Sequence, residues 1–288
     1  MSSPTPDVAA RIARLFVYPV KSCAGVELTQ ALLTESGLDL DRAWMVVDDK
    51  GEFVTQRELP RMALVRPQLK HSEVVLRAPG MLALHLAIDA VEQPAKVRLW
   101  DEPVEAFDMG DVAAQWFSDF LQRKLRLVRF DPDHRRLSSL QWTGGLEVPN
   151  QFSDGFPLLV LGEASLAELN DKLVAAGHGA VGIERFRPNI VLAGLQAQDE
   201  DRLDVLRVAT GGEEVLLRAV KPCPRCPIPD VDPATAQIDP QVSDTLRTFR
   251  KNERLQGAVT FGMNAIVLQG AEQTLRVGQS VTAGWRFD

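Results

Sequence analysis

Apolar residues recur at every second position through much of this chain, in short runs that glycine, proline and polar residues interrupt before a helix could form. That period is the period of a strand, in which alternate side chains share one face. In the first half the runs 14–20, 44–48, 74–77, 81–86, 96–100 and 103–107 are predicted as strands, with Lys50-Gly51 and Pro79-Gly80 as turns between them. A single helix is predicted there over 112–124, because Val112, Trp116, Phe117, Phe120 and Leu121 fall on one stripe at helical spacing. The second half is predicted to open with a buried strand at 157–161 and a helix at 163–175 that turns Leu166, Leu169 and Leu173 inward. Strands at 190–192, 214–220, 259–268 and 275–282 and a shorter helix at 243–252 complete the expected set. The fold class is α+β and strand-rich, and its short, evenly spaced strands suggest barrels more than a doubly wound sheet. The polar, Gly-, Pro- and Ser-rich stretch from Phe130 to Gly155 reads as a junction or a ligand-facing loop. Two domains are expected, 1–128 and 129–288, in keeping with about 150 residues per domain.

Charge narrows the partners. Lys plus Arg number 32 against 39 Asp plus Glu, a formal net charge of -7, so no global positive field exists to hold a nucleic-acid backbone or an anionic membrane. Neither is an expected partner, and an anionic ligand has to be met by a local cluster of cations. The three cysteines, two of them in one Cys-x-x-Cys, fit a reduced cytoplasmic protein better than a disulfide framework. The residues after Met1 lack the basic start and apolar core of a signal peptide, and no apolar run approaches the ~18 residues of a spanning helix. A soluble, cytoplasmic chain is therefore expected.

The densest unusual segment is Lys221-Pro222-Cys223-Pro224-Arg225-Cys226-Pro227-Ile228-Pro229-Asp230, expected directly after the strand that ends at Val220. A Cys-x-x-Cys serves as half a zinc site, as a dithiol redox pair, or as one metal-ligating thiolate beside a neighbour. Zinc needs four ligands, and Cys23, His71, His85, His134 and His178 are not at ligand spacing. A thioredoxin-like pair needs a helix starting at its first cysteine, which Pro227, Pro229 and Pro233 oppose. Lys221 and Arg225 are expected to flank the thiols and favour a thiolate suited to a soft, high-valent metal. Other groups are ambiguous alone: Lys21-Ser22-Cys23 after a strand, Asp41-Arg42 before one, Thr55-Gln56-Arg57 closing another, Arg187-Pro188-Asn189 and Ser153-Asp154-Gly155 at turns. For each, solvated surface charge or an ordinary turn is the commoner explanation, although the last could aim backbone N–H groups at an anion. No histidine is assigned a catalytic role.

Taken together and in order, these pieces resemble one family. The motifs Tyr18-Pro19-Val20-Lys21-Ser22-Cys23, Asp41-Arg42-Ala43-Trp44, Val54-Thr55-Gln56-Arg57, Gly162-Glu163-Ala164-Ser165-Leu166, Arg185-Phe186-Arg187-Pro188-Asn189, Cys223-Pro224-Arg225-Cys226 with Val231-Asp232-Pro233, and Phe261-Gly262-Met263-Asn264 run along nearly the whole chain. The family is that of the molybdenum cofactor sulfurase carboxy-terminal (MOSC) domain preceded by its β-barrel partner, in the branch of the mitochondrial amidoxime reducing components and their bacterial relatives.

The resemblance implies a β-barrel-like first domain, then a MOSC barrel with peripheral helices. It implies a molybdenum cofactor, Mo-molybdopterin, with Cys226 as the thiolate ligand of the metal and Cys223 without a metal role. Lys21, Ser22, Arg42, Arg187 and Asn189 then fall where the pterin and its phosphate are held, while Ser153, Asp154, Gly155, Pro224, Arg225 and Asn264 line the same cleft. The implied activity is two-electron reduction of small N-hydroxylated substrates. Pro224 stands where relatives often carry Ser, and Pro227-Ile228-Pro229 replaces a Thr-containing segment. Some relatives append an iron–sulfur domain or a membrane anchor, and neither is read here. Electrons are therefore expected from a separate ferredoxin-, flavodoxin- or cytochrome-type protein served by an NAD(P)H reductase. The alternative reading is a sulfur carrier, or a cofactor carrier or storage protein, that uses Cys226.

Overall fold

The computed structural model describes residues 7–90 and 93–286. Seven strands close a barrel. Going round it, Leu158–Gly162 lies beside Ile190–Ala193, then Val8–Val17, Ser280–Trp285, Leu203–Val208, Val215–Pro224 and Ala258–Gln269, which returns to Leu158–Gly162. All of these neighbours are antiparallel except Leu158–Gly162 and Ile190–Ala193, which run parallel and are joined through the helix Glu163–Ala175. The two-residue alternation sorts the side chains. Leu158 and Val160 enter the barrel interior with Ile12, Leu15, Leu192, Leu217 and Met263. Leu161 points the other way, onto Leu169 and Leu173 of the helix and Val242 and Leu246 of a second helix, Gln241–Phe249. A strand buried on both faces reads as a continuous apolar run, which is what 158–161 is.

The first half packs a four-stranded antiparallel sheet, ordered Trp44–Asp48, Leu125–Phe130, Glu102–Asp108 and Gln93–Leu99, and a three-stranded sheet, Arg66–Leu69, Glu73–Arg77 and Leu84–Ala87, around the helix Gly110–Leu121. Trp44 and Val46 face Phe117 and Phe120 of that helix. Met45 and Val47 face the opposite core, which Phe152 from the second half enters. A smaller sheet pairs Gln30–Thr34 with both Gly37–Leu38 and Thr274–Arg276, so the two ends of the chain also interlock.

The expected strand-rich α+β class describes this architecture, and the helix at 163–175 lies where it was expected. Other elements differ for physical reasons. The first strand begins at Val8 rather than at residue 14 and lies in the barrel of the second half, paired with Ile190–Ala193 and Ser280–Trp285, so it crosses the expected division at 128/129. Val112 is 76% exposed, and Ala113 takes its expected place on the buried stripe. The expected strand 275–282 is two strands, Thr274–Arg276 and Ser280–Trp285, broken by the left-handed Gly278. The strand expected to end at Val220 continues through Pro224. Its pairing to Leu203–Val208 stops at Arg218, and its remaining pairing is bulged at Pro222 and Pro224, so the missing proline N–H groups break no regular ladder. Gly262 makes closure possible. It has φ +78°, and a Cβ there would lie 2.9 Å from the Val160 carbonyl oxygen. Among the described residues no helix is long and apolar enough to cross a membrane.

Candidate active site

The barrel rim and the four-stranded sheet meet at a cleft of about 770 Å³, mouth included. Every residue that the family resemblance assigned lines it: Lys21, Ser22, Arg42, Ser153, Asp154, Gly155, Arg187, Asn189, Pro224, Arg225, Cys226 and Asn264. They come from loops and strand ends far apart in the chain, and backbone hydrogen bonds fix the first of them. The Lys21 N–H donates to the Trp44 carbonyl (2.8 Å) and the Arg42 N–H to the Tyr18 carbonyl (2.9 Å), locking the two motifs together. Ser22, Arg42 and Arg187 all hold left-handed backbone, at φ 65°, 52° and 58°. Non-glycine residues adopt that region at a cost, and such strain gathers at sites the surrounding structure over-determines.

Two guanidiniums crowd one ring. Arg42 Cζ lies 4.3 Å and Arg187 Cζ 4.2 Å from the centroid of the buried Tyr18 ring, an arrangement of cations against an aromatic face. Arg42 has a counterion, because its Nη1 donates to Asp41 Oδ2 at 2.5 Å. Asp41 in turn accepts from the Tyr18 N–H at 2.8 Å. Arg187 has none among the described residues: its Nη1 donates to the Cys23 carbonyl at 2.6 Å, and its Nη2 is buried without a partner. Burial first, and then the repulsion of Arg42, pull the Arg187 guanidinium down to about 10.

Asn189 is tied into the protein through both its amide oxygen and its amide nitrogen. Its Oδ1 accepts from Arg42 Nη1 (3.2 Å) and the Leu159 N–H (3.1 Å), and its Nδ2 donates to the Phe16 carbonyl (3.2 Å). It thus fixes Arg42 against two barrel strands. The Lys21 ammonium is almost wholly buried and donates to Asp154 Oδ1 (2.5 Å) and the Phe152 carbonyl (2.8 Å). Burial lowers the Lys21 pKa and Asp154 opposes that shift. Asp154 opens its carboxylate onto the cleft solvent, 64% accessible, while protein surrounds the cleft on its other sides. The burial this imposes would raise its pKa, but Lys21, Arg42 and Arg57 outweigh it and bring the carboxyl down to about 2.

The 150–154 loop rests on Arg136. That buried side chain donates from Nη1 to the Gln151 and Ser153 carbonyls (2.8 Å each) and to Asn150 Oδ1, and from Nε to Glu102 Oε2 (2.7 Å). Nothing in the local sequence distinguishes Arg136 from its exposed neighbour Arg135, because its partners lie beyond the turn. Thr55 and Arg57, which read as surface residues, line the cleft as well, with Phe186 and Cys223.

The expected flanking of the thiols is corrected in two respects. Lys221 turns away, with its Nζ 5.2 Å from the Trp142 ring centroid, and it is not part of the cleft wall. Arg225 directs Nη1 at Cys223 Sγ (3.2 Å) and Nη2 at the Phe186 carbonyl (2.9 Å), so its guanidinium attends the first thiol of the pair. Cys223 and Cys226 are half-buried, while Cys23 is fully buried. A three-residue 3-10 turn, Ile228–Asp230, follows the pair, held by Arg185 through the Pro229 carbonyl (3.1 Å) and Asp232 (3.0 Å).

This donor set fits a phosphorylated, thiolate-bound cofactor. Five cations, Lys21, Arg42, Arg57, Arg187 and Arg225, line the cleft against one lining carboxylate, Asp154, and buried nitrogens of Arg187 and Arg225 lack partners. A phosphate dianion answers both features. Among the described residues no three His, Cys, Asp or Glu side chains gather around a point, so a metal here has to bring most of its ligands with it.

Comparison with known proteins agrees with the geometry. Residues 9–124 match the family described as the MOSC N-terminal beta barrel domain, and residues 147–282 match the MOSC domain. The Bos taurus protein named mitochondrial amidoxime reducing component 2 is 35% identical over 249 residues, covering 83% of this chain and 72% of that protein. The Homo sapiens protein named mitochondrial amidoxime-reducing component 1 is 34% identical over 284 residues, covering 94% and 82%. The Bos taurus molybdenum cofactor sulfurase is 28% identical over 273 residues, covering 88% of this chain and 30% of that protein. The expected cytoplasmic location is overturned by these relatives, several of which are named as mitochondrial. Cysteine usage separates oxidising from reducing surroundings and is silent on which reducing compartment applies. The chain belongs to the MOSC-domain family, in the two-domain form, with an MOSC N-terminal beta barrel domain preceding the MOSC domain, that it shares with the amidoxime reducing components.

Proposed function

We propose that this chain is a molybdenum-cofactor-dependent oxidoreductase that reduces N-hydroxylated compounds, namely amidoximes, hydroxylamines and N-hydroxylated bases, by two electrons with release of water. The observation that carries the reading is the convergence in one cleft of the half-buried thiol of Cys226 with a cation excess that includes Arg187, a buried guanidinium without a counterion. The relatives named for amidoxime reduction support the same reading.

In this proposal Cys226 Sγ is the protein's ligand to the metal, and Lys21, Ser22, Arg42 and Arg187 hold the phosphate and pterin. Bound there, the cofactor supplies the two-electron exchange. Asn189 acts behind Arg42, keeping its guanidinium aimed at the cleft. The 153–155 loop, braced by Arg136, forms one wall, and Pro224, Arg225 and Asn264 form the other. Asp154 stays ionised near neutral pH, so it orients Lys21 and accepts hydrogen bonds rather than donating a proton. Pro224 itself offers neither a hydroxyl nor an N–H, which leaves the polarity of that wall to Arg225 and Asn264. The proposed domain division remains 1–128 and 129–288, with the strand Val8–Val17 lent by the first to the barrel of the second.

Electrons are proposed to come from a separate ferredoxin-, flavodoxin- or cytochrome-type protein, since among the described residues no three His, Cys, Asp or Glu side chains gather where a cluster could be ligated. The test is turnover of benzamidoxime by cofactor-replete protein with a reduced viologen dye, alongside molybdenum and sulfane-sulfur analysis. Reduction to benzamidine with molybdenum near one per chain is expected. Stoichiometric molybdenum without turnover would instead indicate a storage or carrier protein, and sulfane sulfur on Cys226 without molybdenum a sulfur carrier.

A further inference from the structure

Arg57, in the cleft wall, and Trp100, which packs against it, form a feature that phosphate and metal binding leave unused. Trp100 occupies the first position of a two-residue hairpin loop, between Gln93–Leu99 and Glu102–Asp108, whose flanking residues Leu99 and Glu102 pair directly. Its φ is 56°, a left-handed conformation that such loops normally give to glycine or asparagine. A bulky aromatic residue held there is a backbone outlier, and its indole is 40% exposed. The ring is nevertheless fixed. Its centroid is 4.9 Å from that of Phe53, edge to face at 61°, and Arg57 Cζ sits 4.8 Å from the Trp100 centroid.

Arg57 is held from behind as well, through its Nε, which donates to the Thr55 hydroxyl at 3.1 Å. Its two terminal nitrogens have no partner among the described residues, and its side chain lines the cleft. Of the cations proposed for phosphate, Lys21 is 6% exposed and bound to Asp154, Arg42 is paired with Asp41, and the free Nη2 of Arg187 is buried. Among the described cleft residues Arg57 combines a fixed guanidinium, terminal N–H groups without a partner and a neighbouring exposed aromatic ring.

Resting on the reductase reading above, we infer that Arg57 is a substrate-binding residue and Trp100 the positioning residue that holds it, and that together they select N-hydroxylated substrates with a planar body, such as aryl amidoximes. Adjacent N–H groups of a guanidinium meet the oxygen and imine nitrogen of a C=N–OH group side by side, and the flat cation offers a stacking surface to an aromatic substituent. Unsubstituted hydroxylamine has no body to lie against that shelf.

The experiment compares wild type with Trp100→Gly, Trp100→Phe and Arg57→Gln as molybdenum-loaded protein, using reduced viologen and two substrates, benzamidoxime and hydroxylamine. For Arg57→Gln the KM for benzamidoxime should rise by about tenfold or more while molybdenum content stays at the wild-type level. Trp100→Gly suits the left-handed backbone and should fold, showing a smaller rise in the same KM with kcat little changed. Trp100→Phe should recover most of that loss. In every variant the effect on hydroxylamine should be the smaller one. A second readout needs no turnover. With no electron donor present, benzamidoxime titrated into oxidised wild type should shift the Trp100 indole NMR resonance, assigned by its loss in Trp100→Phe. Loss of molybdenum from Arg57→Gln would make Arg57 a cofactor residue and overturn the inference. So would equal losses on both substrates, or an unmoved Trp100 resonance. Wild type that carries molybdenum but reduces neither substrate would overturn the reductase reading itself, a result distinct from any of these.

Discussion

Cys223 and Cys226 line one cleft three positions apart, yet their surroundings differ: Arg225 engages the sulfur of Cys223 at 3.2 Å. A dithiol pair or half of a zinc site would need both thiols, whereas a single metal ligand needs one. Cys226→Ser replaces a soft thiolate with a hard hydroxyl, and turnover should fall at least ~100-fold. Cys223→Ser should keep its molybdenum and part of its turnover. Equal loss in both, with the fold intact by circular dichroism, would show that the pair acts as a unit. Cys23 behaves differently again. Burial pushes its thiol up to about 12, with Arg187 pulling partway back. The folded chain therefore keeps a proton that the unfolded chain releases above pH ~9, so this group takes away up to about 1.4 kcal/mol of stability per pH unit as pH rises beyond that point. Denaturant titrations at pH 8 and pH 10 should show the fall, and Cys23→Ala should flatten it. Iodoacetamide at pH 8 should modify Cys223 and Cys226 in folded, cofactor-free protein and spare Cys23, as read by peptide mass spectrometry.

Elements were legible where the pattern was local. The helix Glu163–Ala175 carries its own spacing and follows a strand buried on both faces, so both could be placed from sequence. Strand ends were less legible because they depend on neighbours. Val215–Pro224 runs on through two prolines because its partner Ala258–Gln269 continues beside it with bulges. That partner bends at Gly262, where φ is +78° and the Val160 carbonyl leaves no space for a side chain. Gly262→Ala should therefore cost about 2 kcal/mol or more, combining left-handed strain with a steric clash, and appear as a lower urea midpoint. Gly80→Ala is the control: its φ is also positive, at +76°, but nothing lies within 4 Å, so the strain alone should show.

At the scale of the whole molecule, Lys21, Arg42 and Arg57 come from the first half of the chain, and Arg187, Arg225 and Cys226 from the second. A ligand gripped from both sides stabilises both. At a thousandfold excess over its dissociation constant it adds ~4 kcal/mol, a rise in melting temperature of roughly 7 °C. Protein made in cells unable to form molybdopterin should melt lower by that order in calorimetry. Coincident curves would argue against a shared site. Arg187 should carry much of the effect, since an anion would supply the counterion it lacks. In Arg187→Leu the gap between the two preparations should shrink, because the empty cleft would no longer contain that buried charge.

The sequence by itself determined the strand-rich class, through a two-residue period that is local, and its ordered motifs singled out residues, among them Lys21, Arg42, Arg187 and Cys226, that line one cleft. Tertiary structure alone decided how each of them is used. Val8–Val17 belongs to the seven-stranded barrel because its edges match Ile190–Ala193 and Ser280–Trp285, partners far away in the chain. Lys221, expected beside the thiols, leaves the cleft, while Arg57, which read as surface charge, enters it. Arg136 is buried beneath the 150–154 loop while Arg135 beside it stays on the surface. Periodicity reports which face of an element is apolar; which charged side chain lacks a counterion depends on what the rest of the chain brings against it, and that is set only when the barrel closes.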